Sequence, residues 1–465
     1  MTQHAPGNPR WVSGRRAALV AAPFSAAALL ALAACSPVGS EDDDAPTAAA
    51  ADDSTADAGS GGDGGMAAET IKIGYIAPVT GALTGFTDGD PYMLSVVREQ
   101  FADGITIDGT TYEVEILDRD SGSDAAKAGE LAQELIVDEQ VDLLMATSTP
   151  ETVNPVVAQC EANAVPCLTA NAPWQAVVFG AGFGPDNPLE WTHHFFFGIE
   201  GFGDIDPLAW DQIDTNKKVG VLWPNDSDGG AFRNPDTGYT PLVEAHGYTV
   251  VDPGAYENGT ADFTSIIQTF KDNDVEIIAG IPIPPDFVTF WTQAAQQGFE
   301  PKVATVGKAL FFPTTVPSIP DDLGEGLAFA TWWGPTFPYE SSFDGTTPQE
   351  WIDAFSASPE GEGLVWNQAT PLNGALFEVA KVGLEASGDP FDKDAVHAAF
   401  DDINMMTLGG QIDFTSGPFP GIATIPTAMG QWEKTDEGEW EWVVVDAGDV
   451  PDLPVDRPIA ELDWS

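Results

Sequence analysis

Basic residues are scarce in this chain: 17 Lys and Arg face 73 Asp and Glu across 465 residues, a formal charge of −56. So anionic a molecule repels phosphate, which argues against nucleic acid and anionic membrane surfaces as partners. The excess runs through the folded part and reads as a solubility or salt adaptation of the exterior. Cysteine is nearly absent, with three residues at spacings that offer no zinc site. Beyond the N-terminal region no apolar stretch approaches bilayer-spanning length. The chain also lacks G-x-S-x-G, H-E-x-x-H and P-loop patterns. No metal, cofactor or enzymatic activity is therefore expected.

What is present is a globular composition, 43% hydrophobic and 10% aromatic, in a chain long enough for two lobes. Arg10, Arg15 and Arg16 precede an apolar run over residues 17–34 that contains Pro23. This is the layout of an export signal, with a retained membrane anchor as the alternative. Leu32-Ala33-Ala34-Cys35 resembles the bacterial lipobox, which implies a signal peptide over 1–34, cleavage before Cys35 and lipid on its thiol. Residues 35–68 are mostly Ala, Asp, Gly and Ser. Such a segment buries too little to offset the entropy of ordering and reads as a disordered acidic tether. The folded part is expected outside the cytoplasm, held to the outer face of the membrane by lipid alone.

The chain is organised around residues 141–174. VDLLMA is a short apolar run of strand length that ends in Thr147-Ser148-Thr149. Pro150 suits the first position of a helix, and Ser148 with Glu151 fits a capping box. The helix runs to about Ala162, VPCLTA forms the next strand, and Asn171-Ala172-Pro173-Trp174 repeats the pattern of cap residue followed by Pro. Loops of this kind lie at the carboxyl ends of parallel strands, where small ligands bind, and free N–H groups there suit an anionic or zwitterionic one. Upstream, IKIGYI is a strand, YMLSVVREQFADG a helix, Tyr112 to Leu117 a strand and AAKAGELAQELIVDE a helix. Alternating strands and helices imply doubly wound, mostly parallel sheets.

IKIGYIAPVTGAL, DRDSGSDAAKAGELAQELI, VDLLMATST and VPCLTANA follow, in that order, the pattern of the branched-chain-amino-acid type of ABC-transporter substrate-binding protein. The resemblance covers nearly all of the chain after the tether. It implies an α/β type I periplasmic-binding-protein fold of two lobes joined by three crossover segments, with ligand held between them. Lobe one would comprise 69–197 with 331–420, and lobe two 198–330 with 421–465. His194–Ile199 looks like the first crossing and Leu327–Trp333 like the second, while MGQWEKTDEGEWEWVVVD reads as a closing hairpin on lobe two. The implied function is capture of an amino-acid-like or carboxylate solute and delivery, as a monomer, to an ABC permease. A ligand-sensing receptor component on the same fold is the alternative. An enzyme exploiting Asp118, Asp120 and the histidines is a third class, which turnover of a bound solute would support.

The resemblance places the ligand against Phe86, Thr147, Ser148, Thr149, Asn171 and Trp174 in lobe one. Hydroxyls and helix N–H groups there would hold a carboxylate. In lobe two it points to Trp223, Asp226, Asp228, Ile283, Asp286 and Lys308. Asp286 reads equally as a helix cap. The acidic run from Asp226 lacks the complete EF-hand pattern, so calcium is not expected. Lys308 stands where amino-acid-binding members carry an acid. Either Asp226, Asp228 or Asp286 takes the ammonium role or the ligand has no ammonium there, and a base at this position predicts an acid group on the ligand unless it is simply a solvated lysine. Cys160 and Cys167 flank a turn and are spaced to close a small disulfide loop, or else remain two buried thiols. His193 and His194 are adjacent on a strand, which suits packing better than a metal.

Overall fold

The structure, a computed structural model, describes residues 69–320 and 323–464. The signal, the lipidated Cys35 and the tether lie outside the described residues. Two sheets form the framework. The first has six strands in the order Ile422–Ala423, Thr192–Phe195, Cys167–Ala170, Leu143–Thr147, Ile71–Ala77 and Val114–Asp120, all pairs parallel. The second has seven: Trp440–Asp446, Ala428–Lys434, Ala328–Thr331, Val303–Val306, Ile277–Gly280, Lys218–Leu222 and Thr249–Val251. Only the pairings of Ala428–Lys434 are antiparallel. Helices cover both faces of such sheets, which is why the central strands read as unbroken apolar runs buried on both sides. Gly74 is a consequence of that packing: a Cβ there would lie 2.7 Å from Leu144 Cδ1 and 3.1 Å from Leu135 Cδ1.

The chain passes between the sheets three times. It leaves the first after Thr192–Phe195 and returns from the second after Ala328–Thr331 into the helices Pro348–Ala357, Ala369–Ser387 and Lys393–Asp401. It crosses again between Ile422–Ala423 and Ala428–Lys434. The expected boundary at 420/421 is corrected by this last passage. Ile422 pairs with His194, so these residues belong to the first sheet and the crossing falls at 424–427. The closing hairpin joins the second sheet as expected.

Local chemistry explains several departures from the sequence reading. The helix Pro150–Asn163 does start at Pro150, but there is no capping box: Thr149 precedes it with no side-chain cap. Ser148 and Thr149 both take positive φ, 66° and 61°, which carries their hydroxyls away from the helix N–H groups. Asp124 caps Ala125–Val137 by accepting from Lys127 N at 2.8 Å. Asp118 instead pairs with Arg98, and Asp120 accepts from Thr80 and Gly122. Cys160 and Cys167 are unbonded, buried thiols set among aliphatic side chains of one core cluster. His194 bonds Thr169 Oγ1 and the Ala172 carbonyl, and His193 bonds Asp401, so both are packing residues.

Candidate functional site

The carboxyl ends of strands from both sheets meet across a cavity of about 30 Å³. The first lobe contributes Phe86, Thr149, Asn171 and Pro173, and the first crossing contributes Phe196. Asp228, Phe232, Ile281, Lys308 and Phe311 face them from the second lobe, beside Phe202. The backbone is strained at the polar members. Thr149 has φ 61° with ψ 151°, Asn171 has φ 62°, and Lys308 has φ 52° with ψ −68°. Non-glycine residues hold such angles only when their surroundings enforce them, and they gather at binding sites.

What enforces Asn171 is visible. Its Nδ2 donates to Asn373 Oδ1 at 2.6 Å and to the Ala369 carbonyl at 3.1 Å, which fixes the amide orientation. Asn373 is in turn bound to Thr147 Oγ1, Asp90 and the Phe86 carbonyl. The long helix Ala369–Ser387 thus braces the ligand-facing loops from behind. With Nδ2 committed, Asn171 Oδ1 has no partner among the described residues, and neither do Thr149 Oγ1 and Asp228 Oδ1. All three atoms are buried and belong to cavity-lining residues. Buried polar groups are rarely left so, because each costs about 1–3 kcal/mol.

The second-lobe charges form one cluster. Lys308 Nζ sits against Asp228 Oδ2 and 3.9 Å from Asp226 Oδ2. Burial works against the lysine charge, but Asp228, Glu151 and Asp226 outweigh it and hold the ammonium above the ordinary lysine value. Burial pushes the Asp228 carboxyl up to about 7, with the Lys308 ammonium pulling the other way. Asp226 caps the short helix Ser227–Phe232 through Gly229 N and accepts from Asn258. Glu151, from the opposite lobe, accepts from Ser227 N at 3.3 Å. Further ties cross between the lobes at Phe86–Phe312, whose rings meet edge to face at 4.8 Å, and at Trp366–Trp442.

Of the residues singled out from sequence, Phe86, Thr149, Asn171, Asp228 and Lys308 line the cavity, and Asp226 supports it. Thr147 is one layer behind, in the Asn373 network, and Ser148 Oγ donates to Thr147 Oγ1. Trp174 packs on Phe179 and Phe419, and its Nε1 donates to Glu200 Oε1. Trp223 is core, against Phe232 and Tyr239. Ile283 precedes a helix while Ile281, two residues earlier, faces the cavity. Asp286 neither caps nor lines: it accepts from Gly259 N at 3.0 Å. Lys308 is no solvated lysine, being 5% exposed. The sequence reading missed the apolar wall of Pro173, Phe196, Phe202, Phe232, Ile281 and Phe311, residues that no polar signal marks.

A two-lobed α/β framework with a cavity between the carboxyl ends of its strands defines a hinged binding protein, and the sequence comparison agrees. The profile of the periplasmic binding protein family matches residues 70–437, and the chain belongs to that family. Solved structures share the fold. A leucine-binding protein from Thermotoga maritima is 18% identical, with a TM-score of 0.63 over 81% of this chain and 99% of that one. The branched-chain amino acid transporter substrate-binding protein of Streptococcus pneumoniae, solved with isoleucine, is 16% identical, with a TM-score of 0.63 over 81% and 100%. An ABC-transporter solute-binding protein from R. palustris, solved with 4-hydroxybenzoate, is 21% identical, with a TM-score of 0.64 over 83% and 98%.

Proposed function

We propose that the chain is the extracytoplasmic solute-binding component of an ABC importer, which captures a small amino-acid-like molecule between its lobes and hands it to the permease. The observation that carries this is the cavity walled from both lobes, with the unpartnered Thr149 Oγ1, Asn171 Oδ1 and Asp228 Oδ1 among phenyl rings. Two of these atoms are acceptors, and the Lys308 charge is already met by Asp228 with Asp226 and Glu151 nearby. The ligand head therefore donates hydrogen bonds toward Asp228 and Asn171, as an ammonium or amide does. A carboxylate on the same ligand would accept from the Thr149 hydroxyl. This shifts the sequence expectation, in which Lys308 called for an acid group. The apolar part packs against Phe86, Phe196, Phe202, Phe232 and Phe311.

A cavity of about 30 Å³ holds little more than a water or two, so loading requires the lobes to part and reclose. Ligand binding then favours the closed form by the difference in its affinity for the two states. We read residues 69–197 with 331–423 as lobe one and the rest as lobe two, Cys35 as the lipid-bearing anchor on the outer face of the membrane, and the working form as a monomer. No chemistry is assigned to the site. Among the described residues no helix is long and apolar enough to cross a membrane.

The test is a thermal-shift panel of amino acids, amides, aromatic acids and dicarboxylates, followed by small-angle scattering on any hit. The expected result is stabilisation by an amino-acid-like or amide compound with a fall in radius of gyration. Hits confined to dicarboxylates, or binding with no compaction, would refute the reading.

A further inference from the structure

Outside the solute cavity, and separated from it by Phe311, lies a second and larger cavity of about 230 Å³. Trp366 and Gln368 line it from the return segment, and Trp432, Trp440, Glu441 and Trp442 line it from the closing hairpin. Several indoles thus surround a space large enough for a small organic molecule. Three further observations narrow its occupant. Among the described residues Glu441 is the one charged member of the lining, in a molecule of charge −56. The hairpin's Lys434 ammonium already sits 5.6 Å from the Trp440 ring centre, so that indole accepts a cation on one face. Gln368 is 2% exposed; its Oε1 accepts from Thr331 Oγ1 at 2.8 Å and Trp332 N at 3.2 Å, while its Nε2 has no partner among the described residues. The adjacent Asn367, by contrast, has both ends of its amide engaged.

We infer that this cavity is a second binding site, for an organic cation carrying an oxygen acceptor, such as an alkylammonium alcohol. Indole faces attract the cationic end, Glu441 balances its charge, and the oxygen accepts from Gln368 Nε2. Neutral aromatic guests would gain from the indoles but nothing from Glu441. Anions would be repelled by it and by the molecule as a whole. The site shares Phe311 with the solute cavity and lies between the same lobes, so its occupant would also favour the closed arrangement.

The experiment uses the full folded chain after the tether and titrates choline, its uncharged tert-butyl isostere and tetramethylammonium by calorimetry, with tryptophan fluorescence in parallel. Choline should bind one site per chain, with the isostere weaker by about tenfold and tetramethylammonium, which has no oxygen, weaker than choline. Trp440→Leu should weaken choline by about tenfold, and Glu441→Gln should weaken choline while leaving the isostere unchanged. Circular dichroism and melting temperature establish that both variants are folded. Glu441 is exposed, so its variant gives the answer even if Trp440→Leu misfolds. Equal binding of choline and isostere, no choline binding at millimolar concentration, or wild-type choline affinity in Glu441→Gln would overturn the assignment. Choline binding lost in Asp228→Asn but kept in Trp440→Leu would place the cation in the solute cavity and overturn it too.

Discussion

Replacing Lys308 by Met is the sharpest test of how the second lobe holds its charges. Met keeps most of the stem and the same strained backbone, so the φ of 52° contributes equally before and after. What changes is that Asp228 loses the cation against its Oδ2 while Glu151 and Asp226 continue to repel it. Removing one partner of a buried pair costs about 3–5 kcal/mol, a large part of the roughly 5–15 kcal/mol that holds a protein folded. The carboxyl can escape by taking up a proton. Its folded value, already about 7, then rises further above the ordinary aspartate value. A carboxyl raised in this way favours the folded state when protonated. The pH-dependent part of the deficit should therefore be flat below about pH 6, where the carboxyl is protonated in both folded proteins, and grow by about 1.4 kcal/mol per pH unit from about pH 7 up to the variant's higher value. Urea unfolding of wild type and variant at pH 5 and pH 8 measures it, and Lys308→Met with Asp228→Asn should recover most of the loss at pH 8. A deficit that is below about 1 kcal/mol at pH 8, or that does not change with pH, would refute the account.

Three other expectations follow from the structure. Burial holds Asp90, Asp206 and Glu378 each at about 7, so stability is greatest below about pH 4 on their account and is lost as pH rises to about 7. Melting temperatures in high salt, where surface repulsion is screened, should show this loss, and Asp206→Asn should reduce it; an unchanged slope would count against the role of burial. Gly229→Ala would set a Cβ 1.8 Å from the Pro224 carbonyl and so distort the turn that presents Asp228. It should lower the melting temperature by several degrees and weaken solute binding; a neutral result would show that the turn can relax. Cys160 and Cys167 should react with a thiol reagent only after unfolding, two per described domain, whereas absence of both thiols in unfolded protein would reveal a bond between them.

Much of the framework was legible because parallel strands buried on both faces leave apolar runs, and their loops carry Gly, Pro and hydroxyl residues in a fixed order. Ile71–Ala77, Leu143–Thr147 and Cys167–Ala170 all fall where that pattern put them. The site was legible only where it is polar. Thr149, Asn171, Asp228 and Lys308 stand out in a loop, whereas Phe202 or Phe311 reads in sequence like any core phenylalanine. Burial alone does not separate a ligand wall from an interior. Ser148 and Glu151 show the other gap. Their spacing is that of a cap, but the positive φ at Ser148 and Thr149 comes from contacts with Asn171 and its strand, remote in sequence. Trp174 and Asp286 found partners in Glu200 and Gly259 for the same reason.

The three passages between sheets restrict how the molecule can move. The last has only residues 424–427 between paired strands, and Phe196 on the first passage touches Trp332 on the second at 4.9 Å. Threads this short and this closely packed act like the pins of one door: they permit swinging about a common line and little sliding or splaying. A guest must then come and go on the side away from those pins, and the contacts that tie the lobes, Phe86 against Phe312 and Glu151 to Ser227 N among them, must part to admit it.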